Sequence, residues 1–212
     1  FVFRAMPSPG AGLNWFEIDI LGFNQSFFSL LSVTSALITL VGMIVLRKVM
    51  IHAPLAKLFI VLSLFSAVLY TPSLLMYYGL HNYTIIITNG VVDAKFIAIL
   101  NTAVESPLSQ VAMIPMLAWI AKNAPSKYKA TFFAVFASFT NIALSARELF
   151  TSYLNKIFII KREVIDLQTN KILESANYDD LDNLLISLVI ITLVIPVITI
   201  YLIQKTKFKS TE

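Results

Sequence analysis

Two long apolar runs joined by a short basic turn leave a chain like this little choice of solvent. The first, DAKFIAILNTAVESPLSQVAMIPMLAWI, begins at Asp93; the second, TFFAVFASFTNIALSARELFTSYLNKIF, ends at Phe158; AKNAPSKYKA joins them. A helix crosses the hydrocarbon core of a bilayer in about 20 predominantly apolar residues, and both runs are longer than that. Yet each carries ionisable groups near its middle: Glu105 on one, Arg147 and Glu148 on the other. A charge at the bilayer centre costs at least about 2.5 kcal/mol, so such groups face a packed interior or a watery cavity. A polar pathway inside a membrane bundle is the expectation this placement sets.

Composition points the same way. The chain is 58% hydrophobic and 13% charged, whereas soluble domains average about 25% charged residues. With no cysteine, neither a disulfide framework nor a thiolate metal site can form, and neither His52 nor His81 has metal-ligand spacing. No cofactor is expected. The net charge of +4 is modest. Its basic residues sit mostly in short loops and the tail, which suits membrane topology and gives no reason to expect a nucleic-acid partner.

The apolar blocks predict an all-α membrane protein of six transmembrane helices within a spanning domain, residues 1–204. Residues 1–21 form a first element broken by Pro7, Gly10 and Gly12, read as starting inside a longer chain. The others are 25–46, 55–79, about 93–121, about 127–158 and 181–204. Residues 80–92 read as a mixed loop, and Pro107 and Pro115 as kinks. Residues 159–180 form an extracytoplasmic polar loop, and 205–212 a basic cytoplasmic tail. Arg47, Lys48, Lys57, Lys122, Lys127, Lys129, Lys205, Lys207 and Lys209 fall on one side. Glu17 and Asp19, read as solvated at the outer mouth, fall on the other with Asp93 and the acidic-leaning segment. Short Lys/Arg-rich loops stay cytoplasmic, so both termini are expected there, in the cell (inner) membrane.

Helical spacing picks out the polar faces. Ser32, Ser35, Thr39 and Gly42 align on the second helix, and Ser63, Ser66, Tyr70, Ser73 and Tyr77 on the third. On the fourth, Ala98, Thr102, Glu105 and Ser109 align, flanked by Asn101 and Gln110. On the fifth, Ala134, Ser138, Asn141, Ser145, Glu148 and Ser152 make one face, with Arg147 about 100° away. The sixth helix is nearly all Leu, Ile and Val and is expected to face lipid. Small and hydroxyl residues also let membrane helices pack closely; the charges are what packing does not require. The pathway candidates are Glu105, Arg147, Glu148, Asn101, Ser109, Gln110, Ser138 and Asn141. The simplest arrangement is an ion pair of Arg147 with Glu105 or Glu148. Such a pair is either static, or broken and remade as an anionic substrate or a proton passes.

Certain segments carry a resemblance. PSPG, NWF and LGF within 7–23, PLAKLF at 54–59, QVAMIPM at 110–116 followed by LAWIAKNAP, and KATFFAVFASFTN at 129–141 resemble the folate–biopterin transporter family. That family belongs to the major facilitator superfamily of twelve-helix secondary transporters. The likeness runs through most of residues 1–155 and is to the C-terminal six-helix half. It departs after Asn141, where IALSARELF stands in place of a Gly-rich run, so Arg147 and Glu148 lie outside it. The resemblance implies a secondary active transporter, a symporter by the family's habit, that moves a small organic anion such as folate or a pterin by alternating access. It also implies a missing N-terminal six-helix half as partner within the lipid bilayer. Two other functional classes remain open to such a chain. An intramembrane enzyme needs a buried catalytic set, and both histidines sit at helix ends with no aspartate pair inside the helices, so the chain is read as no enzyme. A non-transporting membrane half-protein with an assembly role is the alternative.

Overall fold

The computed structural model describes residues 1–111, 113, 114, 117, 121, 124–166 and 172–206, without the side chains of 49–52, 109–111 and 165. A 3-10 turn, Val2–Ala5, precedes α1, Ala11–Asp19. There follow α2 (Gln25–His52), α3 (Leu55–Val68), α4 (Thr71–Tyr77), α5 (Leu80–Ile87) and α6 (Ala94–Val111). Then come α7 (Lys129–Ile157), an antiparallel pair β1 (Val164–Ile165) and β2 (Ile172–Glu174), and α8 (Leu181–Gln204). Among the described residues four stretches are long and apolar enough to cross a membrane: Gln25–Lys48, Leu55–Tyr77, Ser126–Ile157 and Leu181–Gln204.

The boundaries have local causes. Asn24 Oδ1 accepts the Phe27 N–H at 2.9 Å and starts α2; Asp93 Oδ1 accepts the Phe96 N–H at 2.7 Å and starts α6, each satisfying one orphan donor of a first turn. The first element does break, between Ala5 and Ala11, with Gly10 at φ +69°. A break at depth needs partners for its backbone, and α7 supplies them. The Ser8 N–H donates to Thr151 Oγ1 at 3.0 Å, and Asn155 Nδ2 donates to the Pro9 carbonyl at 3.3 Å.

Gly12 does not take part in the break. It lies inside α1, where a Cβ would come within 3.0 Å of the Ile160 side chain, so its role is close approach.

Two expectations about segments change. The helix expected over 55–79 is divided, with α3 ending before Tyr70 and α4 beginning at Thr71. Pro72 has no N–H to return to the Val68 carbonyl. The expected loop 80–92 is mostly the helix α5, which has no buried residue.

The main packing pairs are α2 with α6, α3 and α4 with α8, and the Val2–Ala5 turn with α7. The largest core cluster joins Phe16 of α1, Ile160 and Tyr178 to Leu181, Leu184, Leu185 and Leu188 of α8. This corrects the lipid-facing reading of residues 181–204. Leu184, Leu185 and Leu188 are 0% exposed, and Thr192 and Pro196 are buried beside them. The opposite face, with Ile186, Ile190, Val194 and Ile198, lies open, as do Ile195 and the C-terminal Tyr201, Leu202 and Ile203. Lipid tails are as apolar as leucine, so an all-aliphatic helix carries no periodic signal separating its packed face from its lipid face.

Candidate functional site

The break in the first element and the bend at Tyr70 leave room between helices. There a cavity of about 420 Å³ is lined by Arg4, Ser66, Tyr70, Glu105, Arg147 and Thr192 with apolar neighbours. The polar wall residues come from five scaffolds: Arg4 from the first turn, Ser66 and Tyr70 from the end of α3 and just beyond it, Glu105 from α6, Arg147 from α7 and Thr192 from α8. The Tyr70 hydroxyl donates to the Pro7 carbonyl at 3.4 Å, which ties its ring to the broken segment. Glu105 stands two residues before Pro107, whose missing N–H frees the Ala103 carbonyl. It counts as exposed by area although most of its surroundings are protein, as befits a side chain standing in an open recess.

The charges do not pair as expected. Among the described residues Arg147 makes no ion pair within 4.0 Å with Glu105 or Glu148. Glu148 is one residue further along α7, about 100° round the helix, and is exposed outside the cavity. Glu105 is carried by α6 and meets Arg147 only across shared space. The Nε atoms of Arg4 and Arg147 are both buried without a hydrogen-bond partner, and so is Asn101 Oδ1. Buried polar groups are nearly always satisfied, and leaving one unmade costs about 1–3 kcal/mol, more when charged. Both unmatched guanidinium atoms belong to arginines that line one cavity.

The remaining candidates lie elsewhere. Ser138, Asn141 and Glu148 belong to an exposed face of α7 with Ala134, Ser145 and Ser152; the Ser138 hydroxyl donates back to the Ala134 carbonyl at 3.0 Å. Asn101 is half-buried and lines no part of the cavity. The side chains of Ser109 and Gln110, and Pro115, lie outside the described residues. Sequence reasoning placed Ser66 and Tyr70 on a polar stripe of the third helix without naming them as pathway residues, and did not select Arg4 or Thr192. Thr192 carried a signal: it is a hydroxyl four residues before Pro196 in an aliphatic helix, where a proline leaves a carbonyl free. Arg4 also had one, as an ionisable group inside a broken element.

A second polar cluster joins α1 to the segment around the β1–β2 hairpin. Arg162 grips Asp19, with Nη2 to Oδ1 at 2.9 Å and Nε to Oδ2 at 3.1 Å, and the Tyr178 hydroxyl donates to Asp19 Oδ2 at 2.6 Å. Lys161 and Asn177 exchange backbone hydrogen bonds, and Lys161 pairs with Glu174 at 3.2 Å. Asp19, expected to be simply solvated, instead anchors the hairpin to α1. Burial first, and then the bond to Asp19, push the Tyr178 phenol up from 10.0 to about 12. A proton acid whose folded pKa is raised adds stability that is full below the unfolded value and is lost as pH rises through the folded one. Hydrogen-exchange protection of residues 172–180, corrected for intrinsic rates, should therefore hold to about pH 10 and fall between 10 and 12. Tyr178→Phe should remove that step; a step that persists in the variant would assign it to another group.

The profile of the BT1 family matches residues 1–211. No curated protein and no solved structure matches the chain. With four apolar spans and a match over nearly its whole length, this multi-pass membrane chain belongs to the BT1 family, the folate–biopterin transporters.

Proposed function

We propose that the chain is the C-terminal six-helix half of a secondary carrier that moves a small organic anion, folate or a pterin, by alternating access. The observation that carries this reading is the cavity holding Arg147 and Glu105 unpaired. In this reading the first element, α2, α3 with α4, α6, α7 and α8 are the six spans. Their main packing pairs are first with fifth, second with fourth, and third with sixth. Exchanging the first three spans with the last three returns the same pairs, which supports a three-plus-three repeat of the kind carriers use. The exposed polar face of α7, with Ser138, Asn141 and Glu148, would then meet the other half around a shared path, since intramembrane charges do not face lipid. Both termini are cytoplasmic, and residues 159–180 lie outside.

Arg147 holds the anion through charge-assisted hydrogen bonds. Glu105 takes up a proton when the anion arrives and competes for the guanidinium when it leaves. Proteoliposomes holding the chain with its partner half test this. An imposed proton gradient should drive uptake of folate or a pterin above that of protein-free vesicles. Uptake of neither, by a folded reconstituted protein, would remove the substrate assignment.

A further inference from the structure

We propose that Arg4 and Arg147 together form a two-guanidinium clamp for a single oxyanion, with Arg4 as the specificity-determining partner; this rests on the reading of the cavity as the transported anion's site. The Val2–Ala5 turn that carries Arg4 packs directly on α7, which carries Arg147. Both side chains line the same cavity, and the two guanidiniums lie within electrostatic reach of each other. Both have a buried Nε without a partner. Among the described residues no carboxylate lies within ion-pair distance of either.

Two like charges on the wall of one cavity repel, and each keeps an unmet Nε donor. One carboxylate or phosphate group seated between them cures both defects, because its oxygens have enough lone pairs for two forked donors. Glu105, the one carboxylate among the described residues that line the cavity, partly balances the pair when the oxyanion is gone. The break at Pro7 to Gly10 explains how a residue so near the start of this element reaches the cavity: a continuous helix would carry Arg4 along a fixed face, whereas the break lets the turn lie across α7. The Tyr70 ring, tied to Pro7, sits beside the clamp on the same wall. A planar aromatic acid would put its charge on the arginines and its ring against Tyr70.

The test is binding, so that it is separable from transport. The full chain in lipid nanodiscs is titrated with 1-naphthoate and with its neutral isostere 1-naphthamide. The wild type should prefer the acid. Arg4→Gln should weaken naphthoate about tenfold to a hundredfold, the span set by losing one charge-assisted hydrogen bond, and leave naphthamide within about threefold. Arg4→Lys should recover part of the loss, which a purely structural role for Arg4 would not predict. Because both arginines grip one group, Arg4→Gln and Arg147→Gln combined should cost less than the product of their separate losses. A wild type that does not distinguish acid from amide overturns the clamp, as does an Arg4→Gln variant that keeps the preference, or strict multiplicativity in the double variant. If the preference is present but proteoliposomes show no flux, the carrier reading fails and the clamp stands; flux with no preference does the reverse.

Discussion

Arg147→Gln in the reconstituted carrier is expected to reduce anion uptake at least about thirtyfold while leaving helix content and solubility in detergent unchanged. Truncating one member of a desolvated charge interaction costs about 2–5 kcal/mol, and about 2 kcal/mol is thirtyfold. The fold should survive because Arg147 makes no ion pair in the described structure and its Nε is already unmatched; removing the charge relieves the empty protein. The same logic separates its neighbour. Glu148 lies outside the cavity on the open face of α7, so Glu148→Gln should reduce uptake less than Arg147→Gln does. Glu105→Gln should behave differently again. It should lose gradient-driven accumulation and keep exchange of labelled for unlabelled anion, because a permanently neutral group cannot carry the proton. Arg147→Gln uptake at the wild-type rate would leave the cavity without a role.

How far these residues were legible in the sequence depends on what the bilayer hides. Glu105 and Arg147 stood out because a charge in hydrocarbon needs a reason, and the structure puts both on one cavity. Their expected ion pair did not form, since spacing along two helices gives depth and says nothing of the sideways distance between them. The capping residues Asn24 and Asp93 are local signals, and the helices they open run from the residues just beyond them. The burial of α8 was illegible for the reason that makes membrane cores hard to read at all: Leu188 in the core and Ile190 in the open are equally apolar. Polar stripes fared in between. The third-helix stripe is the packed face, with Ser63 at 0% and Ser73 buried, and its Ser66 and Tyr70 reach the cavity. The stripe on α7 is open along its whole length, because what a polar face meets is not written in the face itself.

The seam between α2 and α6 is where a single added carbon should do most harm to stability. Gly42 belongs to the small-residue stripe of α2, and a Cβ built on it would overlap the Pro107 side chain. Small residues at such crossings let helix backbones approach closely. Here the neighbour is a ring with little freedom to move aside, on the helix that packs most closely with α2. Gly42→Val should therefore destabilise the folded protein by about 3 kcal/mol, the upper end for overpacking, seen as a lower melting temperature in detergent. A gain in helix propensity, about 1 kcal/mol when glycine is replaced in a helix, is too small to offset it. The cause can be isolated. Pro107→Gly removes the ring together with the Cβ that a carbon on Gly42 would meet, so Gly42→Ala with Pro107→Gly should cost less than the sum of the two alone. Additive costs would mean that the ring is not what Gly42 accommodates. Because Pro107 lies half a turn beyond Glu105, the same pair ties stability to function: a helix pushed away from α2 carries Glu105 with it, and Gly42→Val should slow uptake even in the fraction that remains folded.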